Sequence, residues 1–295
     1  MSVQIATNVG PSHLAIAYER FGDETRPPVL LVMGFGTQML GWPDGFCEML
    51  VAHGLHVIRF DNRDVGLSTH LANAPVPNLA AALRGDTSSV GYFLRDMAAD
   101  AAGLLDVLGI ESAHVVGASM GGFIAQTLAI EHPMRVRTLT SIMSSTGSLA
   151  VGQPSPAARM LFLRPMITTR EQVMARAIET AAVLGSPAYP TDPAVLAERA
   201  GAQFDRSFDL LGVARQGLAV IASGDRTARL REVRVPTLVI HGTADQMVAP
   251  SGAQATVDAI PGAELMMIEG MGHDFPRPLW PEITARIAAH TRRVV

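Results

Sequence analysis

Ser119 lies in Gly117-Ala118-Ser119-Met120-Gly121, a serine with a glycine two residues away on either side. The apolar run His114-Val115-Val116 leads into it, and small or apolar residues continue to Ile130. Gly-x-Ser-x-Gly between a strand and a helix is a nucleophile elbow, a sharp turn that lifts a serine hydroxyl clear of a sheet. Gly117 and Gly121 have a steric task there, because a Cβ at either position collides with a neighbouring strand or helix. A serine hydroxyl is a weak nucleophile at neutral pH. It needs a base within hydrogen-bond reach, and the base needs an acid to orient it.

In one recurrent arrangement the acid and then a histidine follow the serine along the chain. Asp245 in His241-Gly242-Thr243-Ala244-Asp245 and His273 in Gly270-Met271-Gly272-His273 come in that order, each just past an apolar run. Open parallel sheets carry their sites in such loops, at the carboxyl ends of the strands. Each residue also has a plainer reading: a loop serine, a turn or capping aspartate, and one of nine histidines. Their joint order and placement favour the set. Asp225, Glu269 and Asp274 are weaker acids for the role: the first precedes a strand, the second lies inside one and the third adjoins the histidine. The oxyanion of a tetrahedral intermediate needs two donors. Met120 N–H, at a helix start, is one candidate; Phe35 N–H in the turn Gly34-Phe35-Gly36 is the other. This chemistry requires no cofactor and no metal.

These residues need a scaffold. Residues 28–34, 56–61, 114–116, 136–143, 235–242 and 264–269 are continuous apolar runs too short for helices, as strands buried on both faces should be. Helical patterns fall between them, at 44–53, 92–108, 119–130, 251–259 and 280–290. Such alternation predicts a parallel sheet with helices on both faces. Residues 3–6 and 13–18 read as an antiparallel pair at the edge of the sheet. On the helix over 92–108, Leu94, Met97, Ala101, Leu104, Leu105 and Leu108 share a face, which leaves Arg95, Asp96, Asp100 and Asp106 toward water. The alternation stops from 148 to 231, where helices are expected at 157–166, 171–184, 192–202 and 207–221. The chain therefore divides into a core, 1–147 with 232–295, and a helical cap, 148–231, roofing the site.

Composition narrows the partners. With 48% hydrophobic and 17% charged residues the chain is globular, and a net charge of −4 offers no footprint for nucleic acid. No apolar run reaches membrane-spanning length and no secretory signal opens the chain, so a cytoplasmic protein without a membrane partner is expected. Cys47, the single cysteine, reads as a small buried residue in a reducing compartment. The cluster Asp61-Asn62-Arg63-Asp64-Val65-Gly66-Leu67-Ser68 reads as a structural turn rather than a pocket wall. A small-molecule substrate is the expected partner, and a homo-oligomer remains open.

With these motifs on the page, the chain resembles the α/β-hydrolase superfamily over nearly its whole length. Within it the chain is similar to bacterial serine esterases related to aclacinomycin methylesterase. The similarity rests on 31–34, Gly41-Trp42-Pro43-Asp44, 54–59, 61–68, 113–121, 235–240 and Gly270-Met271-Gly272-His273. It implies eight strands with a helical cap, a triad at Ser119, Asp245 and His273, and an oxyanion loop at Gly34 and Phe35. Two positions depart from that group: Met33-Gly34 replaces the usual His-Gly, and Arg63-Asp64 replaces Arg-Gly. The expected activity is hydrolysis of a small or apolar carboxylic ester, a methyl ester among them. Perhydrolysis with the same triad, carbon–carbon bond hydrolysis and a non-catalytic binding relic are the alternatives.

Overall fold

The computed structural model describes residues 2–294, so Met1 and Val295, the outer ends of the expected core, lie outside the described residues. Eight strands form one sheet: β1 (Gln4–Val9), β2 (Leu14–Phe21), β3 (Pro28–Val32), β4 (His56–Phe60), β5 (Ala113–Ala118), β6 (Val136–Ile142), β7 (Thr237–Gly242) and β8 (Glu264–Ile268). Their spatial order is β1-β2-β4-β3-β5-β6-β7-β8. The β1–β2 and β2–β4 pairings are antiparallel and the rest parallel. The hairpin sits at the edge, as its sequence predicts.

Side chains alternate across each strand, so a strand buried on both faces feeds two cores. On one face Leu30, Val32, Ile58 and Val115 pack with Leu104 of α3 (Leu94–Val107) and Ile124 and Leu128 of α4 (Met120–Glu131). On the other, Val29, Leu31, Val57 and Val116 meet Phe46 and Leu50 of α1 (Asp44–Ala52) and Ile283 of α11 (Trp280–Thr291). A short α2 (Leu79–Ala82) precedes α3, and α10 (Ser251–Ala259) joins β7 to β8. The continuous apolar runs in the sequence are the direct record of this two-faced burial.

Asp100 on α3 differs from its expected exposure. It is buried, and Arg63 donates to both its oxygens, from Nε at 2.6 Å and NH2 at 2.7 Å. The helix period located the apolar stripe but not an arginine arriving from a loop 37 residues away. A charge pair of this kind is stable only while both partners remain.

Between β6 and β7 run α5 (Pro156–Leu161), α6 (Arg170–Leu184), α7 (Pro193–Arg206), α8 (Leu210–Ser223) and α9 (Thr227–Leu230). The helix expected over 157–166 stops at Leu161, because Pro165 disfavours helical backbone at the residue before it. Helix α8 starts three residues later than expected, since the Asp209 carboxylate caps it by accepting from Gly212 N–H at 2.9 Å. Among the described residues no helix is long and apolar enough to cross a membrane.

Candidate active site

Ser119 joins β5 to α4 with φ 56° and ψ −122°. A non-glycine residue there carries backbone strain on the order of 1–3 kcal/mol, which persists only where neighbours enforce it. The enforcement is visible: Ser119 N–H donates to Ile142 O at 2.9 Å, and Ser119 O accepts from Gly122 N–H at 2.9 Å. An added Cβ at Gly117 would land on the Gly121 carbonyl, and one at Gly121 on the Val32 carbonyl. Both glycines are therefore required by close backbone approach.

The three chemistry-bearing residues, of which the first and last lie 154 positions apart in sequence, converge. His273 Nε2 lies 2.9 Å from Ser119 Oγ, and His273 Nδ1 lies 2.8 Å from Asp245 Oδ2. Asp245 is fully buried at its side chain, and its Oδ1 accepts from Met247 N–H and Val248 N–H, each at 2.9 Å. Those two bonds leave Oδ2 facing the imidazole, which sets a proton on Nδ1 and a lone pair on Nε2 toward the serine. The weaker acids do not reach His273: Asp225 accepts from Thr227, and Asp274 pairs with Ser186 Oγ. Burial, partly offset by Ser186, raises the Asp274 pKa above the usual carboxylate range. Glu269 follows β8 instead of lying within it, because the strand ends at Ile268 where the chain turns toward Gly270.

Gly34 backs directly onto the serine: a Cβ there would be 3.0 Å from Ser119 Cβ and 3.6 Å from Oγ. Phe35 N–H follows it, and Met120 N–H opens α4, where the first turn has no intrahelical acceptors and the helix dipole favours negative charge. Among the described residues neither N–H donates to a backbone or side-chain acceptor. Met120 N–H, next to the serine in the chain, and Phe35 N–H, next after the glycine that backs onto it, thus have donating capacity unspent.

Several neighbours have no signature in the sequence. His241 is fully buried, donates to Val248 O at 2.8 Å and lies 3.4 Å from Asp245 Oδ2. Burial holds its pKa below the usual histidine value, so it stands neutral beside the acid. The cap holds the histidine loop: His273 N–H donates to Leu184 O at 2.6 Å and Gly272 N–H to Ser186 Oγ at 2.8 Å. Cys47 is buried and its thiol is pushed up to about 12 by burial, which removes it as a nucleophile at neutral pH.

The 61–68 turn is a structural clamp and more. Asp61 accepts from Met39 N–H at 2.7 Å and Leu67 N–H at 2.9 Å, as a turn aspartate should. It also pairs with Arg206 at 2.6 Å, and Asp64 pairs with Arg215 at 2.7 Å, both arginines coming from the cap. Asp64, His70 and Asp209 have ligand-type atoms within 4.8 Å of one another, a spacing a metal ion could use. The Asp64 carboxylate is already occupied, by Arg215 on both oxygens and by Leu71 N–H at 2.8 Å. A guanidinium already stands in this cluster.

His70 faces two acceptors, Asp209 Oδ2 at 2.7 Å from Nδ1 and Gly66 O at 3.0 Å from Nε2. Only the imidazolium carries a proton for each. Burial opposes that charge, but the Gly66 carbonyl and then the Asp209 carboxylate outweigh it and raise the pKa above 6.5. A raised folded-state pKa contributes stability that is complete below the unfolded value and is lost as pH rises through the folded one. The urea midpoint of the wild type is accordingly expected to fall as pH rises from about 6.5 through the raised folded-state value, by an amount that His70→Gln removes. Equal pH dependence in both proteins would contradict this. His56, His114, His241 and His290, whose pKa values burial lowers, titrate below that window.

The sheet order, the strained serine at the β5–α4 turn, and loops from β7 and β8 carrying acid and base are the marks of one fold class. The model of the alpha/beta hydrolase fold family matches residues 27–276, and the chain belongs to that family. Rhodomycin D methylesterase DnrP of Streptomyces peucetius is 32% identical, with 93% of this chain and 94% of that protein covered. Its counterpart DauP of Streptomyces sp. strain C5 is 31% identical with the same coverage. The enol-lactonase of Burkholderia xenovorans LB400 superposes with a TM-score of 0.75 over 98% of this chain and all of that one, at 23% identity. A meta-cleavage product hydrolase of Pseudomonas fluorescens IP01 does so with a TM-score of 0.75 over 98% of each chain, at 16% identity. These two likenesses speak for the fold; the two methylesterases, matched over nearly full length, make the chain a serine hydrolase of the esterase type.

Proposed function

We propose that the protein is a cofactor-free carboxylesterase that cleaves a methyl or other small-alcohol ester of an apolar acid. The observation that carries this reading is the unbroken relay from Ser119 Oγ through His273 to the buried Asp245. Ser119 Oγ attacks the ester carbonyl while His273 Nε2 takes its proton, and Asp245 holds the resulting imidazolium. Met120 and Phe35 N–H groups receive the oxyanion. His273 then returns the proton to the departing alkoxide, leaving an acyl-serine. Water, deprotonated by the same imidazole, attacks that acyl group and releases the carboxylic acid. The methyl preference is supported by the similarity to the two Streptomyces methylesterases, and the apolar acid by a cap rich in Leu, Met and Ala. The single buried cysteine fits work in the reducing cytoplasm.

A panel of p-nitrophenyl esters and of aryl and polycyclic methyl esters tests the reading, with methanol release measured for the latter. Hydrolysis of methyl esters in plain buffer is expected. Turnover seen only as peracid formation from acetate and hydrogen peroxide would replace it with perhydrolysis, and absence of both with a binding protein.

A further inference from the structure

The oxyanion loop is stitched to the cap rather than to the core alone. Gln216 on α8 is fully buried, and its side-chain amide bridges two backbone groups of the core. Its Oε1 accepts from Gly36 N–H at 2.9 Å, and its Nε2 donates to Arg63 O at 2.8 Å. A backbone donor on one side and a backbone acceptor on the other fix which end of the amide points where. The same face of α8 packs on the loop through residues 213 and 217, three before and one after. A Cβ at Gly36 would lie 3.1 Å from Val213, and a Cβ at Gly217 would lie 3.3 Å from the Phe35 ring. Two residues on, buried Gln38 donates to Gln203 O at 2.7 Å and Ser207 O at 3.0 Å.

We propose that Gln216 is a positioning residue of the oxyanion hole: by anchoring Gly36 from the cap, it holds Phe35 N–H at the position where the oxyanion develops. The proposal rests on Phe35 N–H being an oxyanion donor, as in the proposed function. A shift of a donor by about 1 Å costs on the order of a hundredfold in rate, because electrostatic stabilisation acts only on a correctly placed charge. Gly36 follows Phe35 directly, so the Gln216 bond restrains the peptide that fixes the Phe35 backbone. It follows that the oxyanion hole is complete only with the cap seated.

Gln216→Met and Gln216→Glu test it, assayed with p-nitrophenyl acetate and normalised to the fraction of serine labelled at completion by a fluorophosphonate. The methionine variant removes both bonds at similar volume. Its kcat per labelled serine is expected to fall roughly ten- to a hundredfold, with KM changed less than about threefold. Affinity for a phenylboronic acid, which mimics the tetrahedral intermediate, should fall with kcat, while affinity for the product acetate stays. In Gln216→Glu an ionised carboxylate opposes the Arg63 carbonyl, and its protonation restores the donor. The deficit of that variant relative to wild type is therefore expected to shrink as pH falls. Wild-type kcat per labelled serine and a pH-independent ratio, whatever the melting temperature, would overturn the proposal. If the methionine variant does not fold, the pH dependence of the glutamate variant decides. A Ser119→Ala protein that keeps its activity would instead overturn the reading beneath it.

Discussion

Ser119→Ala is expected to lower kcat/KM toward p-nitrophenyl acetate by about five to six orders of magnitude, in a protein that remains folded. The loss follows from the relay: without Oγ, His273 Nε2 has no nucleophile to deprotonate, and water would have to enter a space shaped for a bound oxygen. The fold should survive because the strained elbow is held by backbone bonds, from Ser119 N–H to Ile142 O and from Gly122 N–H to Ser119 O. Alanine meets the same φ of 56° with a side chain no larger than serine. Activity is measured by ester hydrolysis and integrity by the urea midpoint. A variant that hydrolyses the ester within tenfold of the wild type would remove Ser119 from the mechanism.

The second large effect is expected for Asp245→Asn, at about 10⁴-fold in kcat, with geometry preserved. The Asp245 Oδ1 contacts to Met247 N–H and Val248 N–H are both donations to an acceptor, so the asparagine oxygen will take that side. Its NH2 then faces His273 Nδ1 and makes that nitrogen an acceptor. The proton moves to Nε2, where it points at Ser119 and cannot accept the hydroxyl proton. The same NH2 opposes His241 Nε2, which donates to Val248 O and lies 3.4 Å from Oδ2. Steady-state kinetics on a folded Asp245→Asn protein checks this, and a loss of less than tenfold would show that another group orients the histidine. Asp274 is the neighbour to examine in that event, although its Ser186 bond points it toward the cap.

Much of the scaffold was legible because its causes are local. Strands buried on both faces must be apolar throughout, and β3, β4, β5 and β7 appear in the sequence as such runs. The elbow was legible because Gly117 and Gly121 answer to a clash set by a single turn. The misjudged features depend on distant partners. Asp100 is polar and lies off the apolar stripe of α3, yet Arg63 turns it into a buried ion-pair residue. The turn at 61–68 has a turn composition, and nothing in it announces that Arg206 and Arg215 will dock there.

By itself, then, the sequence singled out the elbow serine, a candidate acid and base in order after it, and the alternating strands and helices that carry them, since residue type and short-range spacing express those constraints. Only the tertiary structure decided how the site is held. The Gln216–Gly36 bond spans 180 positions and the Arg215–Asp64 pair 151. Hydrogen bonds of that range depend on where the cap comes to rest against the sheet. No local periodicity or turn signal records that, because the energy selecting it arises only when distant surfaces are buried together.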